Sequence, residues 1–357
     1  MGNLFRRSAG WFAVLLLLHA GDALAATKKK KPAGTAATTQ RTRPAEPDED
    51  TPKTPSSSAK KKKKKPGGTT ASRGRSMDED QPANARGSRT ASKTALVPVR
   101  PLANGELPLM AKGAIVLDAF TGQPLYEKNA DEAQYPASTT KIMTALLVIE
   151  EGDLDHEVEV TEEDSKVGES SLNILPGEHY TRREMLYGLM LKSANDVAHA
   201  LGRDNAGSAE AFAEKMTRRA RELGATNTSF RNANGLHDVQ HYTSPRDLAL
   251  IARAAMQQPY FRQVVGTQKY LWKRPSGEQW QLTNHNRLLG VFPGTTGVKT
   301  GYTNPAQQVL VSACLRDCRE VIAVVMHDGK PNNWEDSRLL LNYGFEKQPG
   351  AGPVPRF

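Results

Sequence analysis

Apolar positions follow two different periods between residues 113 and 345. Strand-like apolar runs occur at both ends of this region, and runs with a helical period of 3.6 residues lie between them. The predicted strands cover 113–118, 124–127 and the neighbourhoods of 297–303, 307–314 and 320–326; the predicted helices cover 182–192, 196–204, 209–223, 246–256 and 334–343. A further helix at 142–149 is apolar on nearly every side and should be buried. Strands at both ends with helices between them predict an α+β fold rather than a parallel α/β fold.

The first hundred residues differ in composition from the rest of the chain. They carry 21 Lys and Arg residues against 8 Asp and Glu, whereas residues 101–357 carry 27 against 31. No aromatic residue occurs between Phe12 and Phe120, and such a stretch cannot bury enough apolar surface to offset its chain entropy. We therefore predict a disordered Lys/Pro/Thr-rich tail at 26–107, one folded domain at 108–346 and a flexible tail at 347–357.

Residues 1–25 have the pattern of a secretory signal peptide. Arg6 and Arg7 form a positive start, a short apolar core follows, and Ala23-Leu24-Ala25 has the small-x-small form of a cleavage site. The apolar run is shorter than the roughly 20 residues that a membrane span needs. We expect an exported protein, periplasmic or associated with the cell wall, that is cleaved after Ala25.

The predicted tail carries six consecutive lysines, Lys60 to Lys65. It is either a solvated spacer or a segment that contacts an anionic surface, such as wall polymer or membrane lipid. Nucleic acid is not an expected partner, because the protein is predicted to be exported and the tail has no aromatic residues for stacking on bases.

Two cysteines and two histidines raise the question of a disulfide or a metal site. Cys314 and Cys318 flank Leu315-Arg316-Asp317, a stretch that predicts a hairpin with a three-residue loop; a disulfide and two free thiols both stay open. The sequence has no second Cys or His pair that would complete a zinc site with these two cysteines. His237 and His241 have i, i+4 spacing but follow Asn234-Gly235 and precede Ser244-Pro245, which favours a loop over a metal site. We predict no metal and no cofactor.

Ser138 and Lys141 form a candidate nucleophile and base. Ser138 lies at the predicted start of the buried helix, and Lys141 follows one turn later on the same face. A serine hydroxyl needs a base within hydrogen-bond reach, and a lysine serves as one when burial and nearby positive charge lower its pKa. An isolated Ser-x-x-Lys is more often a plain helix cap, and Ser57-x-x-Lys60 in the tail has the same form.

Two further triplets are weak signals when each is taken alone. Ser193-Ala194-Asn195 lies between two predicted helices, where a hydroxyl and a carboxamide could relay a proton and hold a substrate carbonyl or could simply cap the helices. Lys299-Thr300-Gly301 lies in a predicted edge strand that could bind an extended peptide and its terminal carboxylate. The ordered set Ser-x-x-Lys, Ser-x-Asn, Lys-Thr-Gly occurs in penicillin-binding proteins and class A β-lactamases.

The sequence resembles the low-molecular-mass penicillin-binding proteins, the serine D-alanyl-D-alanine carboxypeptidases, from about Leu107 to Phe345. The three triplets carry this resemblance, together with 170–172, 176–178, 232–236 and 297–303. The resemblance implies an antiparallel sheet packed between helices plus a helical lobe. The chain departs from many members because its foldable sequence ends near Phe345, so we expect a single catalytic domain without their C-terminal β-rich domain.

The resemblance also implies a role for each site residue. Ser138 would be the acylated nucleophile, Lys141 its base and Ser193 an aid to proton delivery. The substrate would contact Asn195, Lys299, Thr300, Gly301 and Tyr302, with the backbone N–H groups of Ser138 and Tyr302 forming the oxyanion hole. The expected reaction removes the terminal D-alanine from peptidoglycan stem peptides, and β-lactams should inhibit it covalently.

Three alternatives remain open. A DD-endopeptidase that cuts peptidoglycan crosslinks would use the same residues. A class A β-lactamase would need a glutamate motif between Ser-x-Asn and Lys-Thr-Gly, and the imitation at Glu169 to Asn173 precedes Ser193 instead. A wall-binding module with little turnover is disfavoured by the intact set of motifs.

Overall fold

The computed structural model describes residues 100–348. The predicted signal peptide, most of the basic tail and residues 349–357 lie outside the described residues. The secondary structure falls between Gly113 and Lys347, within the predicted domain limits except for the last residue of the final helix. Within residues 100–348, every helix is too short or too polar to cross a lipid bilayer.

The chain forms strands and helices in the order expected for an α+β domain. The strands are β1 Gly113–Asp118, β2 Pro124–Lys128, β3 Glu157–Glu159, β4 His179–Thr181, β5 Lys269–Lys273, β6 Gln279–Thr283, β7 Thr295–Thr303, β8 Gln307–Arg316 and β9 Arg319–Asp328. The helices are α1 Lys141–Glu151, α2 Glu162–Ser165, α3 Arg182–Tyr187, α4 Asn195–Ala206, α5 Ala209–Glu222, α6 Pro245–Met256, α7 Pro259–Gly266 and α8 Asn332–Lys347.

The central sheet has five antiparallel strands in the spatial order β2-β1-β9-β8-β7. Nearly every residue of strand β9 is buried. Because successive side chains of a strand point to opposite sides, both faces of β9 are therefore covered. Ile322 and Val324 join the core that contains α1 and α6, whereas Val321 and Ala323 pack with α8. Strand β7 is left at the edge of the sheet, where it has a neighbouring strand on one side only.

Helix α1 lies at the centre of the larger core. Its buried side chains include Ile142, Met143 and Leu146, as its all-round apolar pattern predicts. It packs against α4, α5, α6 and α7, and α4 and α5 with the preceding segment form the helical lobe. Two small hairpins, β3–β4 and β5–β6, stand apart from the main sheet. The predicted α+β architecture with an antiparallel sheet is therefore confirmed.

The hairpin between β8 and β9 differs from the prediction. Arg316 pairs with Arg319, so the loop has two residues, Asp317 and Cys318, and both have positive φ. A two-residue loop of this kind matches the twist of the flanking strands. Cys314 is buried and its thiol donates to the Pro293 carbonyl at 3.2 Å, whereas Cys318 is exposed at the loop. The two cysteines are thus free thiols that face different surroundings, and the disulfide alternative is wrong for this structure.

The loop after α5 approaches the segment before α1 very closely at one glycine. Gly235 has a φ of +85°, and a Cβ placed there would overlap the carbonyl oxygen of Ala137. No residue other than glycine allows this approach without a backbone shift. The contact fixes the loop against the residue that precedes Ser138.

We predict that Gly235→Ala destabilises the domain more than a matched glycine substitution. Gly207 has nearly the same φ, +84°, but open space around its missing Cβ. Gly207→Ala should lower the free energy of unfolding by about 1–2 kcal/mol, the cost of a left-handed L-residue. Gly235→Ala should lower the free energy of unfolding by about 1–3 kcal/mol more than Gly207→Ala does, because of the overlap. Urea unfolding of both variants measures the difference, and equal losses would contradict the argument.

Candidate active site

Ser138 lies in a short 3₁₀ turn, Ala137–Thr140, that leads directly into α1. Ala137 has a φ of +48°, an uncommon value for a residue with a side chain and one of the forms of backbone strain found at functional sites. The Thr139 hydroxyl donates to the Pro136 carbonyl at 2.6 Å and braces the turn. Ser138 is half-buried.

The Lys141 amine has three oxygen neighbours within hydrogen-bond distance. Its Nζ lies 3.0 Å from Ser138 Oγ, 2.7 Å from Asn195 Oδ1 and 2.6 Å from the backbone oxygen of Asn234. A neutral amine has two N–H donors and one lone pair. The amide and carbonyl oxygens can take the two N–H groups, which leaves the lone pair for the Ser138 hydroxyl proton. The arrangement therefore suits a general base.

The surroundings of Lys141 favour this neutral form. The side chain is fully buried, and burial together with the positive charge of Lys299 holds its pKa well below the usual lysine value. The negative charges of Asp196 and Glu169 act in the opposite direction. Desolvation is the largest of these effects, so the protein environment prepares the amine to accept a proton.

Ser193 is positioned by an irregular helix. After α3 the chain continues as a π-helical segment, Gly188–Lys192, and Ser193 ends it with a left-handed backbone at φ 65° and ψ 32°. Such π segments occur frequently at functional sites. The Lys299 amine donates to Ser193 Oγ at 3.0 Å, so the second and third sequence motifs meet here.

Asn195 orients Lys141 in this structure. Its amide oxygen accepts from Lys141, and its amide nitrogen donates to the Gly168 carbonyl at 3.1 Å. The side chain is buried, and it links the base to the loop of residues 168–174. Substrate binding by Asn195 stays a prediction, whereas its contact with the base is a role that sequence reasoning missed.

The neighbouring Asp196 is a buried carboxylate that holds the same loop. It accepts hydrogen bonds from the Ser171 hydroxyl and from the backbone N–H groups of Leu172 and Ile174. The sequence prediction gave Asp196 no function. Its negative charge also acts to raise the pKa of Lys141. The carboxylate that holds the loop therefore also influences the protonation of the base.

The third motif lies on the edge strand β7. Lys299 is buried, and its amine contacts Ser193 and the Thr300 carbonyl at 2.8 Å. Burial lowers the pKa of Lys299 to about 7. Thr300 is half-buried, and the Tyr302 side chain is exposed beside it.

Gly301 allows the edge strand to reach the nucleophile turn. A Cβ at Gly301 would lie 3.1 Å from the backbone nitrogen of Ser138 and 3.1 Å from the Pro136 carbonyl oxygen. Strand β7 therefore passes directly over the backbone of the nucleophile, where the predicted oxyanion hole of Ser138 and Tyr302 would form.

Two supporting residues outside the three motifs complete the site. Asn234 supplies a backbone acceptor to Lys141, and a backbone group leaves no side-chain signal in a sequence. His241 lies in a loop, as predicted, with Nδ1 accepting from the Arg231 N–H and Nε2 contacting Thr140 Oγ1 at 2.8 Å. Burial lowers the pKa of His241 to about 4, which agrees with a neutral ring. Because both ring nitrogens are engaged, His241 braces the nucleophile turn and is unsuited to bind a metal.

Comparison with known proteins identifies the family to which the chain belongs. The family model of D-alanyl-D-alanine carboxypeptidases, peptidase S11, matches residues 101–330. The chain belongs to this family. The matched region contains all three motifs, and the family assignment agrees with the resemblance inferred from them.

Several members of the D-alanyl-D-alanine carboxypeptidase family are similar over most of the domain. The Bacillus subtilis carboxypeptidase DacF is 37% identical over 68% of this chain and 64% of its own length. The chain thus spans slightly less than two thirds of that relative. The Mycobacterium tuberculosis carboxypeptidase DacB2 is 34% identical over 66% of this chain and 83% of its own length.

A solved structure shows the same fold. The Streptomyces K15 DD-transpeptidase superposes with a TM-score of 0.64 at 35% identity, covering 67% of this chain and 98% of that protein. The predicted penicillin-binding-protein fold is therefore confirmed for the described domain. Together with the family match, this supports a serine-type carboxypeptidase.

We predict a bell-shaped pH dependence of kcat/KM. The rate should rise with pH as Lys141 loses its proton and becomes a base. It should fall again as Lys299, with a pKa near 7 in the free protein, loses the charge that attracts a substrate carboxylate. Steady-state kinetics from about pH 5 to about pH 10 measures both limbs. A Lys299→Arg variant keeps its charge and should lose the alkaline limb, and a steady rise to high pH in the parent would contradict this assignment.

Proposed function

We propose that this protein removes the terminal D-alanine from peptidoglycan stem peptides through an acyl-enzyme on Ser138. The observation that carries the proposal is the position of the buried Lys141 amine, whose Nζ lies 3.0 Å from Ser138 Oγ and also contacts Asn195 Oδ1 and the Asn234 carbonyl oxygen. Family membership supports the substrate class, because the matching family and its curated relatives are D-alanyl-D-alanine carboxypeptidases.

Acylation begins with proton transfer from Ser138 to Lys141. The Ser138 oxygen then attacks the carbonyl carbon of the penultimate D-alanine. Negative charge develops on the carbonyl oxygen, where the backbone N–H groups of Ser138 and Tyr302 would stabilise it. Gly301 makes this possible because no side chain separates the edge strand from the nucleophile backbone.

The leaving amine needs a proton when the peptide C–N bond breaks. Ser193 lies 3.0 Å from the Lys299 amine and would pass to the departing nitrogen the proton that Lys141 took from Ser138, which returns Lys141 to its neutral form. Lys299, with Thr300, would also bind the carboxylate of the terminal residue, and this negative charge would raise the pKa of Lys299. Water then attacks the Ser138 ester, with Lys141 accepting its proton, and releases the shortened peptide.

The same site accounts for an expected sensitivity to β-lactams. A β-lactam presents an amide carbonyl to Ser138 and a carboxylate to Lys299 and Thr300, as the peptide does. Acylation by the opened ring would then occupy Ser138 covalently. Membership of the penicillin-binding protein family supports this proposal.

We predict that the protein releases D-alanine from an N-acylated tripeptide ending in D-Ala-D-Ala. Lys141→Ala should lower kcat/KM by about 100- to 10,000-fold, the usual contribution of a general base. Lys347→Ala, which removes an exposed lysine at the end of α8, should leave it unchanged. A coupled assay for free D-alanine measures the rates. Turnover in the parent that persists in Lys141→Ala would rule out the proposed base.

The N-terminal hundred residues lead to a separate proposal about location. Their signal-peptide pattern and lysine run support export to the periplasm or cell wall, with the tail contacting an anionic wall polymer or membrane surface. Attraction of this kind depends on charge, not on catalysis. Binding through the tail should therefore be independent of Ser138.

We predict that replacing Lys60–Lys65 by glutamine in the full chain weakens binding to isolated wall fragments or anionic vesicles at least tenfold. Each lysine near an anionic surface contributes about 1 kcal/mol, and salt screens the attraction. Sedimentation with the fragments at low and high salt measures the effect. The matched control, Ser138→Ala, should bind like the parent. Binding that is independent of salt, or that is unaffected by loss of the lysines, would contradict the proposal that the tail attaches through its charge.

A further inference from the structure

An apolar cavity lies at the end of the central sheet where β8 turns into β9. It has a volume of about 620 Å³ and is bounded by α6, α7 and the β8–β9 hairpin. Its apolar lining includes Phe120, Met256, Pro259, Leu315 and Ile322. We call it the hairpin cavity. None of the described residues that line it belongs to the three sequence motifs, so the mechanism above does not use it.

The charged groups in the wall of the hairpin cavity already have partners. The Arg262 guanidinium pairs with the Glu320 carboxylate, with Nη1 lying 2.8 Å from Oε1. The Arg253 guanidinium donates to the carbonyl oxygens of Ala119 and Phe120 at 2.8 and 2.6 Å. The cavity therefore presents apolar surface rather than a free charge, which favours an apolar occupant over an anionic one.

Part of the cavity wall is exposed to solvent. The Leu315 residue is 41% exposed, and Cys318 at the hairpin turn is exposed as well. Covering an apolar surface of this kind is favourable because it removes that surface from water. An occupant with a large apolar side chain would therefore stabilise the cavity wall.

The described part of the chain ends beside this cavity. Gln348 follows α8, and its side-chain nitrogen donates to the Asp118 carboxylate at 2.7 Å and to the Glu320 carbonyl oxygen at 3.2 Å. The Ala119 N–H donates to the same Glu320 oxygen at 2.9 Å. Because Ala119 and Glu320 line the hairpin cavity, the chain leaves Gln348 within the length of one side chain of the cavity wall.

The side-chain oxygen of Gln348 lacks a hydrogen-bond donor. This oxygen is buried, and no group within residues 100–348 donates to it. Buried carboxamide oxygens normally accept a hydrogen bond. A backbone N–H of the residues that follow Gln348 would satisfy this oxygen if the chain turned back along the domain at this point.

Residues 349–357 have the chemistry that the cavity favours. The segment starts with Pro-Gly-Ala-Gly and continues with Pro-Val-Pro-Arg-Phe, in which Val354 and Phe357 are large and apolar and Arg356 is the only charged side chain. Nine extended residues span about 30 Å, which is ample for a return to the adjacent cavity. The N-terminal segment is a poorer match because residues 13–119 contain no aromatic side chain.

We propose that residues 353–357 bind in the hairpin cavity of the same chain, with the Phe357 ring as the apolar anchor. Residues 349–352 then form the linker, whose backbone supplies the donor to the Gln348 oxygen. The flexibility predicted from the Pro and Gly residues would be limited to this linker. Binding of this segment covers the exposed cavity wall and shields the Cys318 thiol, independently of the catalytic chemistry.

Cys318 reports on the proposed contact because it lines the cavity and is exposed in its absence. The measurement is the rate at which iodoacetamide alkylates Cys318 in the full chain, followed by mass spectrometry. Cys314 is the internal control: burial raises the pKa of its thiol to about 11, so it should react slowly in every variant. Phe357→Ala removes the anchor, Phe357→Leu keeps an apolar side chain, and Arg356→Gln changes only the neighbouring charge.

We expect Phe357→Ala, and a chain that stops after Gln348, to raise the alkylation rate of Cys318 about tenfold. This factor corresponds to about 1.4 kcal/mol, close to the gain from burying one large apolar side chain. Phe357→Leu and Arg356→Gln should react nearly as slowly as the parent, and dilution of the parent should leave its rate unchanged.

Equal Cys318 rates in the parent, in Phe357→Ala and in the shortened chain would contradict the proposal. Protection in the parent that disappears on dilution would assign the segment to the cavity of a second copy and would also overturn binding within one chain. A rate that rises as much in Arg356→Gln as in Phe357→Ala would show that charge, and not the apolar anchor, holds the segment.

Discussion

The site depends on the burial of two lysines beside each other. Lys141 and Lys299 are each almost completely removed from solvent, and two ammonium charges cannot both be stable at short range in a medium of low polarity. One must give up its proton readily. The surroundings of Lys141 favour its neutral form: burial and the charge of Lys299 hold the pKa of Lys141 well below the usual lysine value, and its Nζ lies 3.0 Å from Ser138 Oγ. Lys299 is left to carry the positive charge, to which the proposed mechanism assigns the binding of a substrate carboxylate.

The fold supplies what this arrangement requires. Helix α1 buries Lys141 because the helix is apolar on nearly every side, and the edge strand β7 buries Lys299 while Thr300 stays half-buried and Tyr302 exposed. The π-helical segment ends at Ser193, so the helical lobe meets the sheet at a hydroxyl. Glycine at 235 and 301 lets backbone approach backbone at the two places where a side chain would force the elements apart. These contacts stabilise the positive-φ backbone conformations of Ala137 and Ser193.

Much of this could be predicted from the sequence, and the exceptions have physical causes. The long periodic helices and the buried strands of the main sheet were predictable, as were the three motifs. Helix α7 has eight residues, too few for a clear period, and β5 and β6 bury few side chains beyond Trp272 and Leu282. The turn at Asp317-Cys318 lacks the glycine that usually marks such loops. Asn234 acts through its backbone oxygen, and Asn195 and Asp196 act through neighbours that are distant in sequence, so no local pattern reveals their roles.

The central claim is that Ser138, activated by Lys141, is the nucleophile. The most direct measurement is the intact mass of the chain after incubation with benzylpenicillin, for the parent and for Ser138→Ala. The account predicts one covalent adduct on the parent and none on the variant, while both proteins unfold at a similar temperature. An adduct on both proteins would show that another serine is acylated. An unmodified parent would contradict the acyl-enzyme mechanism itself.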